Sequence, residues 1–200
     1  MTREGPDVLR WARIGLTLVL IPVSISAFRD ELGQVPLLSG INLAIHEFGH
    51  MLFMPFGIQP FGETGVILGG SVTQLAIPLA FMAYFIGGKR EHRDLHAATI
   101  CLWWTAISLL NVAIYAGDAR AGELMLITGA TGADDPGSHD FYNLFARWGV
   151  LNRDTIYAAR LRACAALLCF VSILAGLWTA YNHEWLRARM ARANTEPETV

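Results

Sequence analysis

Residues 64–88, 97–117 and 163–182 contain no charged side chain, in runs of 25, 21 and 20 positions. About 20 apolar residues carry a helix across the hydrocarbon core of a bilayer. Lipid offers the backbone no hydrogen-bond partners, so each run must satisfy its own amides and carbonyls, and helix is the expected conformation. Two further stretches qualify less simply. Residues 14–28 form a shorter uncharged run between Arg13 and Arg29, and between Glu31 and Glu63 the only ionisable groups are His46, Glu47 and His50. The expected fold is therefore all-α, a polytopic transmembrane helix bundle of about four to six membrane segments.

The charge content agrees. Only 16% of the 200 residues are charged while 54% are hydrophobic, against roughly a quarter charged in a typical soluble domain. The net charge of -2 and the absence of a basic block exclude a nucleic-acid surface. Cys101, Cys164 and Cys169 lie in apolar runs without C-x-x-C spacing and read as small packing residues. The first run, with Arg3, Arg10 and Arg13 before it and small residues after it, has features of a signal peptide. The flanking arginines can also snorkel to extend the span, which favours a retained helix.

Residues 1–193 read as a single integral-membrane domain and 194–200 as a disordered tail. The soluble part is one connection, about 118–162. It holds a turn-rich stretch, GATGADDPGSHD, and then an amphipathic helix over residues 140–148. There Phe141, Leu144, Phe145 and Trp148 recur at helical spacing, with Asp140 as N-cap and Gly149 as the stop. Such a helix lies in the interface plane. Lys and Arg cluster near the N-terminus, at residues 89–93 and at 187–192. The preference of basic segments for the cytoplasm would place all three on one side. Five simple crossings cannot do so; a segment 35–63 that dips in and returns, or a removed first segment, repairs part of the count and leaves the topology open.

The chemistry lies in INLAIHEFGHMLFMPFG. His46 and His50 stand four residues apart, so on a helix their imidazoles project from one face, one turn apart. That pair supplies half of a tetrahedral Zn2+ shell, and Glu47 beside it is placed to act as general base on a zinc-activated water. Buried among apolar residues, each ionisable group costs about 2.5–3.5 kcal/mol even on the lenient insertion scale, and a bound dication offsets that cost.

A catalytic zinc needs a third protein ligand. Asp118, closing the run that ends in SLLNVAIYAGD, is the first candidate. The rival is His139 in GSHDF, with Asp140 positioned to orient it. His92 and His96 read as surface residues of a basic connection, and His183 as interfacial. Asn111 and Ser108 are buried polar groups in the fourth segment, suited either to a substrate backbone or oxyanion or to interhelical bonding. Ser71, Thr73 and Gln74 form a similar cluster, and Gly69 and Gly70 suit close backbone approach.

H-E-F-G-H in an apolar helix, then LGGSVTQLAIPLA and an Asn-to-Asp stretch, resembles the site-2 protease family of intramembrane zinc metalloproteases over residues 38–120. The resemblance implies His46 and His50 as zinc ligands, Glu47 as general base, and Asn111 and Asp118 as a loose match to the family's second motif. Ile114 replaces that motif's proline, Asp118 comes one residue early, and Ala119 stands where glycine follows. The length leaves no room for an extra peptide-binding domain. The implied activity is hydrolysis of peptide bonds in transmembrane protein substrates within the lipid bilayer of the cell membrane. Two other functions remain open: a zinc hydrolase of a lipid or a small amide or ester, and a non-catalytic metal- or haem-binding membrane protein.

Overall fold

The structure, a computed structural model, describes residues 8–56, 62–89, 92–183 and 185–186. The disordered tail expected at 194–200 lies outside them. Among the described residues six α-helices follow in order: α1 Val8–Arg29, α2 Leu38–Phe53, α3 Gly62–Gly87, α4 Leu95–Gly117, α5 Asp140–Arg147 and α6 Asp154–Tyr181. Four of these, α1, α3, α4 and α6, are long and apolar enough to cross a membrane. Among the described residues there is no strand, only a single bridge between Met125 and Thr131. The chain is an all-α bundle of a multi-pass membrane protein.

α4 is the central helix, and it packs most extensively on α6. The reason lies in side-chain size. α6 turns Ala165, Cys169, Ser172, Gly176 and Thr179 inward, and α4 buries Ala98, Cys101, Thr105, Ala106 and Ser108. Lipid is as apolar as leucine, so helices in a bilayer associate through close packing of small residues and a few polar bonds rather than through hydrophobic burial. Leu20 and Ala27 of α1 join Trp103, Ile107 and Leu110 of α4 and Ala165 of α6 in one core. There the indole of Trp103 donates to Ser24 Oγ at 2.8 Å. Leu18, Val19, Phe81, Leu167, Phe170 and Leu174 remain exposed, as a lipid-facing surface requires.

One end of the bundle gathers several chain segments. Arg13 of α1 pairs with Asp94 at 2.5 Å, and Asp94 caps α4 through the amides of His96 and Ala97. The Asp94 amide reaches back to Phe85 of α3. His96, expected at the surface, is instead buried, with Nε2 3.0 Å from Thr17 Oγ1. It shares a small cavity with Thr179 and His183 at the end of α6. α1 and α4 therefore leave this end, while α3 and α6 arrive at it.

The segment between α1 and α3 thus begins and finishes at the opposite end, and α2 makes no net crossing. Its first turns sit deep, where Asn42 Oδ1 accepts from the Trp104 indole at 2.8 Å. Its last turns lie beside the start of α3. The non-helical connector before α2 is satisfied by protein groups: Asn111 Nδ2 donates to Gly33 O at 3.0 Å, and Ser39 Oγ accepts from Val35 N at 2.9 Å. Irregular backbone at membrane depth is tolerated under that condition.

Candidate metal centre

α2 and α3 touch backbone to backbone. A Cβ on Gly49 would fall on the Gly69 carbonyl, and one on Gly70 would lie 2.6 Å from Nε2 of both His46 and His50. The absence of side chains at these points lets the imidazole pair come close against α3, one turn apart with ring centroids 4.8 Å from each other and the ring planes 77° apart.

Each ring is held by its Nδ1. In His50, Nδ1 lies 2.9 Å from the Val66 carbonyl oxygen, which can only accept. In His46, Nδ1 lies 3.2 Å from Gln74 Oε1, while Gln74 Nε2 donates to the Ser108 carbonyl at 3.4 Å and so keeps the amide oxygen toward the ring. Both Nδ1 atoms are held as donors, which leaves Nε2 of each ring as the nitrogen free to bind a metal. Both Nε2 atoms point at a carboxylate. Asp140 Oδ2 stands 3.0 Å from His46 Nε2 and 3.1 Å from His50 Nε2.

The three donors lie within 4.8 Å of one another and can hold a metal ion. With bonds of about 2.0 Å, neighbouring ligand atoms in a tetrahedral zinc shell are about 3.3 Å apart, close to the two separations found here. Three lone pairs converging on one point repel unless a cation or a proton stands among them. The donor set, the two imidazole–carboxylate separations and the outer hydrogen bonds behind both rings suit a divalent ion.

The carboxylate beside the histidines is Asp140, not Asp118. Asp118 accepts from the amides of Glu123 at 2.9 Å and Leu124 at 3.1 Å. It therefore serves to turn the chain leaving α4. His139, the rival third ligand, also faces elsewhere. Its Nδ1 accepts from Tyr142 N at 3.2 Å as the N-cap of α5, and its Nε2 faces Asp118 Oδ2 at 3.4 Å. Burial holds this imidazole below its ordinary range, so it is neutral at pH 7. Because His139 takes the cap expected of Asp140, Asp140 is released to point into the site.

A cavity of about 650 Å³ opens at this point, lined by His46, Glu47, His50, Asp140, Tyr115 and Asn111 among others. Glu47 is half-buried in its wall. Asn111 is tied into the helix packing: its Oδ1 accepts from Asn42 Nδ2 at 3.0 Å and its Nδ2 donates to Gly33. Tyr115, which reads in the sequence as one aromatic in an apolar run, sits 5.9 Å from the His46 ring and 4.3 Å from that of His139, centroid to centroid. Its hydroxyl oxygen accepts the Asp140 amide at 3.0 Å. The remaining walls combine apolar residues, Leu43, Val66, Ile67, Leu124 and Ile127 among them, with polar ones such as Gln34, Ser39 and Thr128.

α5 is held in place by Phe141, Leu144 and Phe145, which pack on Val112 and Ala116 of α4, and by an ion pair from Arg147 to Glu63. The carboxylate thus arrives on a rigid element. No protein-family model, curated protein or solved structure matches this chain.

Proposed function

We propose that this protein is a membrane-embedded zinc protease, a small relative of the site-2 proteases that its H-E-F-G-H helix resembles, hydrolysing peptide bonds of membrane proteins. The observation that carries the proposal is the meeting of two imidazole lone pairs and one carboxylate oxygen, with both rings locked as donors from behind. Two histidines and one carboxylate leave a fourth position open, the arrangement of a catalytic rather than a structural zinc.

His46, His50 and Asp140 would hold the ion, which when bound polarises a carbonyl and lowers the pKa of water. Glu47, on the same helix and in the wall of the same cavity, takes the proton released when water attacks the carbonyl carbon. It then delivers that proton to the departing amine nitrogen. Tyr115 has accepted the Asp140 amide on its oxygen, so its O–H proton remains available to donate to the developing oxyanion. Gln74 and Val66 keep the imidazoles in the metal-binding tautomer. Leu43, Val66 and Ile67 limit water in the cavity. Asn42 and Asn111 hold α2, α4 and the connector together, and the second N–H of Asn111 is left to meet a substrate backbone.

The test is metal analysis joined to two variants. Purified protein should contain about one zinc per chain. Glu47→Gln should keep the metal and lose peptide hydrolysis, and His46→Ala should lose both. Metal-free protein with both histidines intact, or undiminished hydrolysis by Glu47→Gln, defeats the proposal. If Glu47→Gln traps an acyl lipid rather than a membrane protein, the substrate is a lipid ester or amide instead.

A further inference from the structure

The position of the three donors along the bundle specifies the side from which a substrate must come. His96 and Tyr115 lie in the first and last turns of α4, 19 residues apart, and at 1.5 Å per residue that is about 28 Å. The hydrocarbon core is about 30 Å thick. His96 marks the end where α1 begins, α4 begins and α6 finishes. Tyr115 touches the metal-binding group, so that group lies at the far interface.

Charge separates the two ends. Of the described residues, Arg10, Arg13, Lys89 and Arg93 lie at the His96 end; in sequence, the stretches 1–13, 89–93 and 187–192 that flank those span ends hold nine of the fifteen basic residues. The other end carries six, of which Arg120 is paired with Asp154 and Arg147 with Glu63. It also holds ten of the seventeen acidic residues. Basic residues flanking membrane helices remain on the cytoplasmic side. With α2 making no net crossing, four spans bring all three basic segments to that side together, which five spans cannot do.

We infer that the His46–His50–Asp140 site opens on the non-cytoplasmic side of the membrane, and that its substrates are membrane-protein segments whose scissile bond lies at or just within that face. The identity of the substrate rests on the protease reading above; the orientation does not. The walls nearest the opening agree with such a ligand. Met125 and Ile127 stand out from the connection after α4, 78% and 65% exposed, at the level where an unwound chain would leave lipid for water.

Cysteine accessibility tests the orientation without reference to metal or hydrolysis. Cys164, the exposed native cysteine, is first replaced by serine. Thr128→Cys, at the cavity mouth, and Lys89→Cys, between α3 and α4, are then treated with a membrane-impermeant maleimide in intact cells of a bacterial host. Thr128→Cys should label at once, and Lys89→Cys only after permeabilisation. A reporter that fluoresces only in the cytoplasm, fused after residue 200 of the unmutated chain, should be bright. Labelling of Lys89→Cys in intact cells, protection of Thr128→Cys until permeabilisation, or a dark fusion overturns the inference. Metal content at one per chain with the reverse labelling pattern would leave the protease reading standing and remove only the orientation.

Discussion

Asp140 Oδ2 lies 3.0 Å from His46 Nε2 across 94 positions of sequence, and this contact closes the metal-binding group. Asp140→Ala should therefore reduce bound zinc from about one per chain to near zero. Asp118→Ala should leave the metal in place, because the Asp118 carboxylate is occupied by the amides of Glu123 and Leu124. Its loss frees two backbone donors and should loosen residues 123–134, read as faster proteolysis there. Metal analysis of the two purified variants side by side decides between the carboxylates.

The contrast between Asp118 and Asp140 marks where the sequence ceases to be legible. The spans are legible because a run without charge carries its whole meaning locally, and the His46–His50 pair because helical spacing alone puts both rings on one face. The third ligand depends on how the connection after α4 folds back, which no local pattern records. Asp140 stands just before an amphipathic stripe, the usual place for an N-cap. That signal was real, but the cap is one residue earlier, at His139, and the shift brings the Asp140 carboxylate to the two imidazoles. Gln74 was visible only as part of a polar cluster. Tyr115 was silent, since an aromatic in an apolar run reads as packing.

On the proposed reading, Gln74 would act on the metal through His46. Replacing it with leucine, of similar size, removes the acceptor that holds Nδ1–H, so the ring can change tautomer or rotate. Loss of such an outer hydrogen bond lowers metal affinity by about 10–100-fold. Competition with a zinc chelator should show that drop in Gln74→Leu, while Gln74→Glu, which keeps an acceptor, should retain most of the affinity. Equal affinity in wild type and Gln74→Leu would mean that His46 is oriented by packing alone.

Gly70 tests the same centre sterically. A methyl group there would lie 2.6 Å from each Nε2, inside any normal contact, and the rings cannot retreat because Nδ1 is bonded behind them. Gly70→Ala should lose most metal binding while keeping its helical content, since alanine is favourable in a helix. Circular dichroism and metal content on one preparation separate this outcome from misfolding.

Tyr115→Phe keeps the ring that packs on His46, His139 and Phe141 and removes only the hydroxyl. If that hydroxyl donates to the oxyanion, kcat should fall by about 10²–10³ with KM little changed, the magnitude found when one such donor is removed. Metal content should remain near one per chain. A variant that loses metal in proportion to activity would show instead that Tyr115 serves only to anchor the Asp140 amide.

His139 adds a pH dependence to the same element. Burial depresses its imidazole below the ordinary value of 6.5 in the folded chain, whereas the unfolded chain would titrate near that value. The unfolded state therefore binds the proton more readily, and the stability that neutral His139 supports is complete above about pH 6.5 and declines as pH falls. Protonation also removes the Nδ1 lone pair that accepts the Tyr142 amide, so the first turn of α5, which carries Asp140, is where acid should act. In metal-free protein, proteolysis within residues 123–140 should accelerate as pH drops from 7 toward 5. Asparagine caps a helix without titrating, so His139→Asn should flatten that profile over the same range. An unchanged slope in His139→Asn would assign the acid sensitivity to the carboxylates around it.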